Sequence, residues 1–154
     1  MKRLQIAVLV VLGLAGYAVA GASAAPPRAQ LRNLICRKAL DPRARAVSIT
    51  AVMRPVPGTQ KLELRFELSS RTAGVGVFRQ LSGTGLGTWI TPTEPTLGRR
   101  AGDVWRVHHP VADLSAPAAY RFRVDFRWLG AHGKVLSSAT KTSGTCLQPE
   151  LRPD

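Results

Sequence analysis

Three arginines, Arg121, Arg123 and Arg127, sit at alternating positions of one run, Tyr-Arg-Phe-Arg-Val-Asp-Phe-Arg-Trp, from Tyr120 to Trp128. In an extended strand such positions share a face, about 6–7 Å apart for every two residues. A row of planar guanidiniums suits carboxylate or phosphate. The chemistry on offer is therefore contact with an anionic surface: teichoic-type polymers, acidic glycans or lipid headgroups. Arg79 joins the row if Phe78 faces inward. The plainer reading, which the sequence favours, is a solvated face kept soluble by charge and interrupted by Asp125. A second candidate is the stretch 83–96, with three glycines, two prolines and Trp89. An exposed Trp in such a loop is an anchor for a partner; equally, Trp89 can tuck into the edge of a core.

Other chemistries find little to work with. The only histidines are His108, His109 and His132. His108 and His109 are consecutive in a strand, face opposite sides and cannot easily share an ion, so neither metal nor cofactor is expected. No G-x-S-x-G or H-E-x-x-H is present. Glu94, Asp103, Asp113 and Asp125 have no partner nearby in sequence to form a glycosidase carboxylate pair. Gly83-Thr-Gly85-Leu-Gly87 lacks the lysine and the helix of a phosphate loop. Catalytic residues are thus expected to be absent. The alternatives are a small secreted hydrolase or metal-dependent enzyme, built from side chains converging from separate strands, and an inhibitor or accessory subunit that inserts the 83–96 loop. A net charge of +13 and a pI near 11.4 invite a nucleic-acid reading. Nearly every aromatic falls on the apolar side of a strand, however, and is not free to stack on bases, so no nucleic acid is expected.

The elements that must position these residues are strands. Lys61-Leu-Glu-Leu-Arg-Phe-Glu-Leu68 alternates charged and apolar residues without a fault, and 119–129 does the same. Period two over such lengths means half-buried strands with one wet face. Weaker strands are expected at 47–53, 75–81, 88–91, 103–109 and 134–142, bounded by turn residues. Seven short strands with no long helix describe an all-β chain, a single antiparallel sandwich. Residues 25–33 read as a flexible lead-in and 148–154 as a disordered tail, leaving 34–147 as the domain. Residues 36–40 suit one helical turn that Pro42 stops.

The first 24 residues read as an address. Lys2 and Arg3, an apolar run over 4–19, and Ala22-Ser23-Ala24 make a secretory signal peptide cleaved after Ala24. The competing reading is an uncleaved anchor, and no later segment is apolar for long enough to span a bilayer. The mature protein is therefore expected outside the cytoplasm, as a monomer. Cys36 and Cys146, the only cysteines, form a disulfide in that compartment. No C-x-x-C and no nearby histidine suggests a reactive or metal-binding role.

Leu114-Ser-Ala-Pro-Ala-Ala-Tyr120, opening an alternating strand, resembles the tyrosine corner of fibronectin type III and other immunoglobulin-like domains, in which the Tyr hydroxyl bonds back to the backbone upstream. The resemblance implies an immunoglobulin-like sandwich with 119–129 as strand F, 134–142 as strand G and the Lys61 run as strand B. Strands C and G would then flank F, and Arg79 would lie on C. Glu63 and Glu67 would lie on the other sheet, unable to neutralise the arginines. The Arg-rich, Lys-poor composition with its Ala-x-Ala leader also resembles small exported proteins of GC-rich bacteria. The combined expectation is an exported, non-catalytic module whose charge attracts an anionic envelope partner and whose loop end makes the contact.

Overall fold

The computed structural model describes residues 25–72 and 75–150; residues 1–24, where the signal peptide is expected, 73–74 and 151–154 lie outside the described residues. The described residues form nine strands: β1 Ala29–Arg37, β2 Ala46–Met53, β3 Lys61–Thr72, β4 Arg79–Leu81, β5 Trp89–Ile90, β6 Trp105–Val111, β7 Ala118–Leu129, β8 Val135–Thr142 and β9 Cys146–Gln148. They form two antiparallel sheets. One has the order β1-β2-β6, and the other runs β4-β3-β7-β8, with β5 pairing β3 and β9 pairing β7.

The two runs with the cleanest alternation make the spine. β3 and β7 pair antiparallel over their whole length, from Lys61 against Leu129 to Thr72 against Ala118. Leu62, Leu64, Phe66 and Leu68 of β3 and Phe122, Val124, Phe126 and Trp128 of β7 are fully buried. They face Val47, Ile49, Ala51 and Met53 of β2 across a single core. Each such side chain contributes about 1.5–3 kcal/mol through the apolar surface it removes from water. Trp128 also donates its indole N–H to the Arg54 carbonyl at 2.6 Å, tying β7 to the segment that leaves β2.

Several boundaries differ from the sequence expectation. The supposed lead-in is half of β1: Ala29 is buried and Leu31 packs on the core. The alternation breaks at Asn33, whose φ of +54° lies in the left-handed region that Asn tolerates. The register shifts there, between Arg32 against Thr50 and Ile35 against Ser48. One extra residue in the strand turns Cys36 inward and erases the period-two signal. Residues 36 and 37 are therefore strand, and the short 3₁₀ turn comes later, at Pro42–Ala44.

Gln148, assigned to the tail, is 1% exposed on β9. Its amide Nε2 donates to the Arg37 carbonyl at 2.9 Å and to that of Ala46 at 3.4 Å. A polar side chain is buried here because it bridges the ends of β1 and β2 to β9. Beside it Cys36 and Cys146 form the disulfide, with a Cα–Cα distance of 5.4 Å, which joins β1 of one sheet to β9 of the other.

The Tyr120 hydroxyl donates to the Ser115 carbonyl at 2.9 Å, and Leu114 is buried beside it. This bond pins the turn that leads into β7. Tyr120→Phe removes one neutral hydrogen bond and keeps the ring, so a loss of about 1 kcal/mol is expected, read as a lower urea midpoint with an unchanged slope. An unchanged midpoint would mean that the bond does not hold the corner.

Candidate functional site

The β3–β7 register decides what the arginine stripe can do. On the outer face of this sheet Glu63 lies opposite Arg127, Arg65 opposite Asp125, and Glu67 opposite Arg123. Glu63 accepts from Arg127 and pairs with Lys61 at 2.8 Å. Asp125 accepts from Arg65 at 2.8 Å, from Arg123 at 3.2 Å and from the Thr140 hydroxyl at 2.7 Å. Glu67 lies 3.3 Å from Arg65 and 4.0 Å from Arg123. Glu63 and Glu67 are thus on the same sheet as the arginines, contrary to expectation. The cause is β1: with that strand unseen, the Lys61 run counts as the second strand, whereas it is the third and pairs directly with β7.

Burial by itself would raise the carboxyl groups of Glu63 and Asp125. The hydrogen bonds and charges outweigh it: Lys61 and Arg127 hold Glu63 below its ordinary value, and Arg65, Thr140 and Arg123 do so for Asp125. Both acids are therefore ionised at neutral pH. Of the three predicted arginines, Arg123 and Arg127 are engaged by carboxylates, while Arg121 faces Ser69.

The aromatics add a second set of restraints. Trp89 on β5 pairs with Arg65, and the Arg127 and Arg65 guanidiniums lie 4.0 and 4.9 Å from its ring centroid. Trp89 is therefore neither a free anchor at a loop tip nor part of the core; it rests against two arginines on the outer face. Phe78 sits the same way beneath Arg121 and Arg71, at 4.0 and 4.9 Å. Since Phe78 is on the outer face, Arg79 turns the other way and pairs with Ser70. Arg79 does not join the stripe. Residues 75–78 are not strand, so the expected 75–81 strand shrinks to β4.

The other sheet carries cations without acids. β1, β2 and β6 contain no Asp or Glu. Their outer face presents Arg32 opposite Thr50 and His108, Arg106 opposite Val52, and Arg37 opposite Ala46. No sequence alternation points to this face, because Arg32 and Arg37 lie either side of the bulge in β1, and Arg106 comes from β6, more than 60 residues on. Net charge was the only available signal.

His108 lies on that face near the Thr50 hydroxyl, at 3.4 Å, whereas His109 faces the core. The His109 ring stacks on Phe66 at 4.5 Å and meets Phe122 edge-on at 6.2 Å. Its Nε2 is buried without a partner. Burial, with the neighbouring His108 charge, depresses its pKa, so the ring stays neutral near pH 7. Gly85 lies over this ring: a Cβ there would come within 2.7 Å of Cε1, which seats the 83–87 tip against His109.

Ser138-Ala-Thr-Lys141 spells S-x-x-K, but it lies on β8, where residues three apart face opposite sides. A cleft of about 730 Å³ opens between the sheets near Leu114. The ionisable groups lining it are Arg71, Asp113 and Tyr120, whose hydroxyl is held by Ser115. Among the described residues no three of His, Cys, Asp and Glu come together as a metal-ligand set, and no helix is long and apolar enough to cross a membrane. No family model, curated protein or solved structure matches the chain.

Proposed function

We propose that the protein is an exported, non-catalytic binding module of immunoglobulin-like, fibronectin type III-like architecture that attaches to an anionic surface outside the cytoplasm. The observation that carries the reading is how the acids are distributed. Glu63, Glu67 and Asp125 neutralise the β3–β7 face, while the sheet β1-β2-β6 presents Arg32, Arg37 and Arg106 with no acid in its strands. The anionic contact therefore moves from the arginine stripe to the opposite face. The Tyr120–Ser115 bond and the pairing of β7 with both β3 and β8 support the type III-like reading. The disulfide is compatible with an oxidising compartment.

The test is retention of the disulfide-intact protein on immobilised polyphosphate along a salt gradient. Binding is expected at low salt and elution well before 1 M, where the screening length has fallen from about 10 Å to about 3 Å. Arg32→Gln, Arg37→Gln and Arg106→Gln should each elute earlier than Arg123→Gln, which removes the same charge from an engaged position. Equal shifts for all four variants, or no retention at low salt, would overturn the assignment.

A further inference from the structure

Resting on the reading of an anionic partner, we propose that one end of the sandwich docks on an anionic lipid surface. Leu40, Val75 and Val77 enter the headgroup region, and Lys38, Arg71 and Arg79 contact the lipid phosphates.

The register places these residues at one end. β1 finishes with Arg37 opposite Ala46, so residues 38–45 cap this end. β3 finishes at Thr72 opposite Ala118, which in turn pairs with Gln148. Gln148 donates to the Arg37 carbonyl, which brings the end of β3 and the end of β1 to the same side of the molecule. Residues 75–78 leave from there toward β4.

Val75 and Val77 flank Gly76 and are 72% and 77% exposed, the two highest values among the exposed large hydrophobics; Leu40 is 53% exposed. The Val75 N–H donates to the Thr72 carbonyl, and Gly76 has a φ of +82°, so the backbone here is a turn that leaves both valines facing water. From 71 to 81 the chain carries Arg71 and Arg79 and no acid. Among the described residues the carboxylates at this end are Asp41, Asp113 and Glu150. Asp41 is engaged with the Arg43 N–H at 3.0 Å.

The chemistry separates the possible partners. A polyanion dissolved in water pairs with the cations and gives exposed valines nothing to bury against. A stable protein partner needs a contact of about 800 Å² per side, far more than three separate aliphatic side chains supply. An anionic membrane surface uses both features, because a few apolar groups reach the acyl boundary while arginine and lysine meet the phosphates.

The experiment is co-sedimentation of the disulfide-intact protein with vesicles of phosphatidylcholine alone, or of phosphatidylcholine mixed with phosphatidylglycerol. The protein is expected to bind the mixed vesicles and not the neutral ones. Val75→Ser with Val77→Ser should weaken that binding by about tenfold per valine and leave retention on polyphosphate unchanged. Both valines are exposed, so the thermal midpoint of the double variant should match the parent and confirm its fold. Arg71→Gln with Arg79→Gln should weaken vesicle binding as well. If the valine variant binds mixed vesicles as the parent does, the insertion is wrong. If the parent is retained on polyphosphate but ignores mixed vesicles, the lipid assignment falls while the broader anionic reading stands.

Discussion

Breaking the Cys36–Cys146 bond is expected to cost about 4–5 kcal/mol of folding stability, since it releases a loop of 110 positions in the unfolded chain. A small domain has only about 5–15 kcal/mol in total, so the reduced protein should lie close to its unfolding threshold at 37 °C. Other contacts hold the same chain ends beside the bond. Gln148 bridges to Arg37 and Ala46, and β9 pairs with Ala118–Tyr120. The loss should therefore appear without a change of fold. Urea unfolding of the oxidised protein, the reduced protein and the Cys36→Ala, Cys146→Ala variant measures it. A difference below about 1 kcal/mol would show that β1 and β9 are held by their hydrogen bonds and packing instead of by the crosslink.

The second large effect is expected at Asp125. Its carboxylate is buried and takes hydrogen bonds from Arg65, Arg123 and Thr140. Asp125→Ala removes the closest acceptor of two neighbouring guanidiniums and leaves them only Glu67, at 3.3 and 4.0 Å, as a shared acidic partner. Removing one partner of a fully buried pair costs about 3–5 kcal/mol. Here the arginine side chains are 30% and 54% exposed and water screens them in part, so about 2–3 kcal/mol is expected.

The same site gives stability a pH dependence. Asp125 and Glu63 have pKa values held below those of the unfolded chain, so the folded state binds fewer protons than the unfolded state in acid. Their contribution is complete above about pH 5 and is lost as the pH falls through the carboxylate range. His109, also depressed, adds a milder loss of the same sign as the pH falls through about 6.5. Thermal midpoints from pH 7 to pH 3 should therefore fall with acid, and Asp125→Ala should flatten the lower part of the curve. A variant whose curve parallels the parent would show that Asp125 does not stabilise the face.

The two spinal strands were legible because both lie in the middle of a sheet with one buried face, where alternation is enforced at every residue. Tyr120 was legible because its partner, Ser115, is only five residues away. The strands that escaped are those in which local pattern and burial part company. β1 carries a bulge at Asn33, and β9 buries a glutamine whose partners are over a hundred residues distant.

The charge pattern separates the two levels of information further. Sequence by itself determined that Arg121, Arg123 and Arg127 share a face, since that follows from the period of a strand and from nothing else. It also pointed to the pairing of the only two cysteines, Cys36 and Cys146, with each other. Only the tertiary structure decided what stands opposite those arginines. Strand order, and with it the meeting of Glu63 with Arg127 and Asp125 with Arg65, depends on contacts about 60 residues apart along the chain. The free energy of those contacts comes from core side chains on the far side of the sheet, so the identity of the outer-face residues carries no record of their neighbours.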